Sequence, residues 1–66
     1  MARQFRLAHT RPSADGKTVK AVIVDGDWTR FTSHPDVHEI DSTDDGPLVR
    51  FPARKLAAPD LLDLDR

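Results

Sequence analysis

The residues with the most chemical potential in this 66-residue chain fall between positions 34 and 41. His34, Asp36 and His38 alternate, so an extended backbone would put all three on one face, and Glu39 and Asp41 add carboxylates close by. Two imidazoles and a carboxylate suit a divalent metal, which makes a metal-binding domain one alternative reading of the chain. Against it, Pro35 interrupts a regular strand and His9 is the one further histidine left to complete a shell. A solvated hairpin end explains the same residues. The carboxylate pairs Asp25 with Asp27 and Asp44 with Asp45 are of the kind that bind calcium or perform acid–base work, but Asp-rich and Asp–Gly segments are also what tight turns require. Ser33 beside His34 is the nearest approach of a nucleophile to a base, and adjacent residues of a strand point to opposite faces. The three glycines, Gly16, Gly26 and Gly46, are scattered one to a turn and form no phosphate loop. The sequence therefore presents no catalytic residues, implies no cofactor, and reads as a non-enzyme.

Binding is the remaining class of activity. Trp and Arg dominate interface hot spots, which selects Trp28, Arg30, Arg50 and Phe51 as candidate partner-binding residues, with core packing of Trp28 left open. An alternative is a small nucleic-acid-binding β-barrel in which Arg3, Arg6 and Lys20 meet phosphates while Trp28 stacks on a base. Charge is unevenly placed: residues 1–20 balance at +4, residues 21–47 at −6, and the whole chain at −1. Neighbouring strands of opposite sign that pair across a sheet account for this pattern. A dedicated nucleic-acid binder usually has a clearly basic domain, and ten Asp with one Glu disfavour phosphate-rich partners. A protein partner is thus preferred, with self-association into a homo-oligomer expected.

These residues need elements to hold them. A chain of this length is one domain whose core is thin, burying only about 60% of its unfolded surface. There is no cysteine, so neither a disulfide nor a cysteine-based zinc site can reinforce it. The longest aliphatic run is Ala21 to Val24, the N-terminal segment has no apolar signal core, and a cytoplasmic protein with no membrane contact is expected. Phe5, Leu7 and His9 alternate with Arg6 and Ala8, predicting a first strand over 3–9 that ends at Pro12, Ser13, Asp15 and Gly16. Val19, Ala21 and Ile23 on one side and Val22 and Val24 on the other predict a central second strand over 17–24. Asp25–Gly26 then predicts a type I′ hairpin into a third strand over 27–33, with Phe31 and Trp28 on opposite faces. A fourth strand over 37–41 rests on Val37 and Ile40, and a fifth on Leu48 to Phe51. Beyond Pro52 the spacing of Leu56, Leu61, Leu62 and Leu64 predicts a short helical segment or tail over 55–66. The fold class expected is mainly β: a small, strongly bent antiparallel sheet or SH3-like barrel of about five strands.

The segment Ile40-Asp41-Ser42-Thr43-Asp44-Asp45-Gly46-Pro47-Leu48-Val49-Arg50-Phe51 resembles the DSKDPDGPVLRF-like stretch of a family of small actinobacterial domains of unknown function that includes BldB-like proteins. The order of an aromatic–Arg start at Phe5-Arg6, a Ser/Gly loop over 13–16 and a valine-rich strand over 19–24 is also similar. The chain departs from the family in having Phe5 where Trp is usual and Leu56 or a neighbour where a later Trp is found. Proteins of that family accompany helix-turn-helix regulators, so the resemblance implies a regulatory protein-binding module in a developmental or toxin–antitoxin-like system.

Overall fold

The computed structural model describes residues 4–26, 28 and 34–65. Six antiparallel strands, β1 (Gln4–Pro12), β2 (Thr18–Ile23), β3 (His38–Thr43), β4 (Gly46–Pro52), β5 (Leu56–Ala58) and β6 (Leu61–Asp63), form one sheet in the order β3-β4-β2-β1-β6-β5. Among the described residues β3 and β5 are its two edges and do not pair with each other, so the sheet is open and the expected barrel is not closed.

The inner face of this sheet is the core. Val19, Ala21 and Ile23 of β2, Val49 and Phe51 of β4, and Phe5 and Leu7 of β1 alternate inward as period-2 strands require, and Trp28, Val37, Leu62 and Leu64 close over them. Trp28 meets Phe5 edge to face, with ring centroids 5.2 Å apart at 85°. β2 is central, as its two-sided apolar pattern predicts, and Val22 on the other face is also buried.

That central place overturns the expected hairpin at Asp25–Gly26. Both edges of β2 are occupied, one by β1 and the other by β4. The Trp28 N–H instead donates to the Asp25 carbonyl at 3.1 Å, and neither Asp25 nor Gly26 has the positive φ of a type I′ turn. Apart from Trp28, the expected third strand lies outside the described residues.

The C-terminal expectation is also corrected. Ala53–Lys55 forms one 3-10 turn, and of the leucines that follow Leu56 belongs to strand β5 and Leu61 and Leu62 to strand β6, with Leu64 in the turn beyond it, rather than to a helical segment. Leu62 and Leu64, two apart, are buried on one face, and the N-terminal half of β1 supplies the ladder through Gln4↔Asp63, Phe5↔Leu62 and Arg6↔Leu61. A free strand edge beside an i, i+2 leucine pair wins over weak helical spacing. Lys55, buried at the end of the 3-10 turn, donates from Nζ to the Leu64 carbonyl at 3.0 Å and stands 3.6 Å from Asp36 Oδ2.

β1 carries one extra residue. Ala8 pairs with Val22, but Arg11 pairs with Lys20, so three steps along β1 match two along β2. His9 takes the surplus at φ 56°, a left-handed conformation, and is exposed rather than sharing the core face with Phe5 and Leu7 as simple alternation predicts. The bulge reverses parity: Leu7 points inward, and the odd-numbered Arg11 points outward.

The turns are built by side chains. In the β1–β2 loop the Ser13 hydroxyl donates to the Asp15 carboxylate, which also accepts the Lys17 N–H at 3.0 Å, and these bonds hold Asp15 below its usual carboxylate pKa. In the β3–β4 turn Thr43 Oγ1 donates to the Gly46 carbonyl at 2.7 Å and accepts the Asp45 N–H at 3.2 Å, which fixes Asp44 and Asp45 at the tip. Gly46 has φ 143° and lies against the Ile23 backbone carbonyl, a place no side chain can share.

Candidate functional site

The outer face of the sheet gathers charge that the sequence scatters. Register pairs Arg11 with Lys20, Lys20 with Arg50, and Arg50 with His38, and directly paired residues project to the same face. The result is a row of four basic side chains crossing β1, β2, β4 and β3, all exposed. Adjacent strands lie about 4.8 Å apart, so the row is about 14 Å long. Among the described residues none of the four makes an ion pair, since the carboxylate contacts fall instead to His9, Arg54 and Lys55.

This arrangement works against stability. Like charges directly opposite on neighbouring strands cost about 0.2–1 kcal/mol per pair, and here Lys20 is faced by a cation on both sides. The core face of the same strands shows no such conflict, because Val19, Phe51, Ala21 and Val49 pair there as apolar neighbours.

Two hollows flank the row on either side of Thr18. One, of about 400 Å³, lies over β1 and the 12–14 loop and takes in Arg11, Lys20, Ser13 and Thr18. The other, of about 360 Å³, lies over β4 and the 35–38 segment and takes in Arg50, Phe51, His38, Thr18, Pro35 and Asp36. The Asp36 carboxylate in the second hollow is faced by Arg54 Nη2 at 3.7 Å and Lys55 Nζ at 3.6 Å, which offsets its charge.

The residues singled out from sequence meet different fates. Trp28 and Phe51 are core residues, at 9% and 1% exposure, so they anchor the fold, and Phe51 also lines the second hollow. Arg50 is on the row, and Arg30 lies outside the described residues. Of the nucleic-acid candidates, Lys20 is on the row, Arg3 is outside the described residues, and Arg6 is exposed but two pairing steps further along the sheet, about 13 Å away. With Trp28 buried, the base-stacking platform of that reading is absent among the described residues.

The residues of the metal reading are not brought together among the described residues. His34 and Asp36 sit in a turn rather than a strand: the Val37 N–H donates to the His34 carbonyl at 3.1 Å, and His34 Nδ1 accepts the Asp36 N–H at 3.1 Å. Asp36 faces two cations, His38 departs to the basic row, and among the described residues no three such side chains are grouped to hold an ion. Ser33 lies outside the described residues.

Arg11 belonged to none of these sets. Counting by twos from Phe5 and Leu7 assigns it to the core, and only the bulge at His9 turns it outward. His9 itself stands 3.7 Å from Asp45 across the tip of the β3–β4 hairpin. Among the described residues no helix is long and apolar enough to cross a membrane. Comparison with protein-family models, with curated proteins and with solved structures finds no match to the chain.

Proposed function

We propose that this chain is a non-enzymatic protein-binding module whose working surface is the row Arg11–Lys20–Arg50–His38, and that its partner presents a short acidic segment there. The single observation that carries the reading is the unbroken cross-strand run of basic side chains with no carboxylate of its own. Positive charge left uncompensated on a flat face is complementary to negative charge on a partner.

A short acidic segment fits better than a long nucleic acid. The row is only about 14 Å long, and beyond it the chain turns acidic, with Asp41, Asp44 and Asp45 on one side and Asp60, Asp63 and Asp65 on another. An extended polyanion leaving the row would meet that charge. The likeness of residues 41–51 to BldB-like domains supports a helix-turn-helix regulator as the partner, with an acidic patch of that protein as the point of contact.

The test is fluorescence anisotropy with a labelled acidic peptide and with single- and double-stranded oligonucleotides, all at low salt. The reading expects the peptide to bind, binding to weaken as salt rises, and Arg50→Glu to abolish it while the fold is kept. Tight binding of the oligonucleotides with none of the peptide would replace it by the nucleic-acid reading.

A further inference from the structure

We propose that the basic row works as two separate oxyanion sockets set for a partner helix with acidic residues two turns apart. The inference rests on the row being the working surface and adds how that surface reads its partner. The observation behind it is the division of the row at Thr18: Arg11 and Lys20 line one hollow, Arg50 and His38 line the other, and Thr18 borders both.

Each socket has what an oxyanion needs. Each holds two basic side chains from adjacent strands, about 4.8 Å apart at the backbone, which is close enough for both to reach one carboxylate. The Thr18 hydroxyl makes no hydrogen bond among the described residues and stands between them as a donor to either. The Asp36 carboxylate, which lines the second hollow, is already engaged by Arg54 and Lys55, and Asp15, next to the first, by Ser13 and the Lys17 N–H.

Spacing selects the partner's conformation. The centres of the two sockets are two strand spacings apart, about 9.6 Å. On a helix rising 1.5 Å per residue, side chains at i and i+7 share a face and are about 10.5 Å apart. On an extended segment, same-face side chains recur at about 6.7 and 13.4 Å, and neither interval matches. The geometry favours a helix laid along the row, across the strands.

The experiment uses two helical peptides of identical composition. One carries acidic pairs seven residues apart, and the other carries the same residues in one cluster within a single turn. Affinity is measured by calorimetry, and amide shifts are followed at Arg11, Lys20, His38 and Arg50. The two-socket arrangement expects the spaced peptide to bind at least about tenfold tighter, because the second contact becomes intramolecular. It also expects Lys20→Ala and Arg50→Ala each to remove that advantage while the folded spectrum is retained. Equal affinities for the two peptides would overturn the two sockets and leave the basic row standing. Failure of both peptides to bind at low salt would overturn the acidic-partner reading itself, and the sockets with it.

Discussion

Lys20→Glu should make the protein more stable and less able to bind. Lys20 is flanked across the sheet by Arg11 and by Arg50, so the substitution turns two repulsive pairs into two attractive ones. Cross-strand pairs are worth about 0.2–1 kcal/mol each, and exposure places these near the low end, which gives a gain of about 1 kcal/mol in total. For a domain this small that is a rise of about 4–8 °C in Tm. In urea, with an m-value of about 1 kcal/mol/M, it moves the midpoint up by about 1 M. Lys20→Gln, which removes the repulsion without adding attraction, should give about half of this. The assay is urea unfolding followed by Trp28 fluorescence, in 20 mM and in 1 M salt, paired with the acidic-peptide titration on the same samples. Screening over about 3 Å at 1 M salt should erase the stability gain. A midpoint that is unchanged or lower at low salt, or a gain that survives 1 M salt, would refute the claim that the row stores like-charge repulsion.

Three further outcomes follow from the turns and the bulge. Gly46→Ala should cost about 3 kcal/mol and leave little folded protein by circular dichroism, since φ 143° and the Ile23 carbonyl both exclude a Cβ. His9→Gly should leave the urea midpoint level or slightly raised, whereas His9→Val should lower stability by about 1–2 kcal/mol, because a branched residue resists the left-handed conformation; equal effects from the two would mean that the conformation carries no strain. Asp15 has a lowered pKa in the folded state, so the stability it lends is full above the unfolded value of 3.8 and is lost as pH falls below it. Asp15→Asn should therefore be less stable than the parent at pH 6 and draw level with it in acid unfolding near pH 2, and a constant difference across that range would show that the carboxylate is not the stabilising group.

Much of the sheet was legible because its strands obey simple alternation. Thr18–Ile23 and Gly46–Pro52 have two-sided or inward apolar patterns bounded by Gly and Pro, and both lie close to where the sequence puts them. The failures share one cause, which is that long-range pairing decided what local spacing could not. Asp25–Gly26 is a good hairpin signal, but β4 arrives from more than twenty residues away and takes the edge of β2. Leu61, Leu62 and Leu64 permit a helical turn, but the open edge of β1 makes a strand of Leu61–Asp63. The same holds for the candidate site. Lys20, Arg50 and His38 were each noticed for a different reason, and nothing in the sequence says that one ladder of pairings lines them up. Arg11 was hidden by the bulge.

The buried ammonium of Lys55 ties together parts of the chain that are made at different times. A lysine can lose its water only once its partners are in place, and here they include the Leu64 carbonyl as acceptor and the Asp36 carboxylate as counter-charge. The hollow that includes Asp36 and His38 thus takes its final shape after residue 64 has emerged during synthesis. Until then the Leu64 carbonyl is missing from the contacts that hold Lys55 in its buried place.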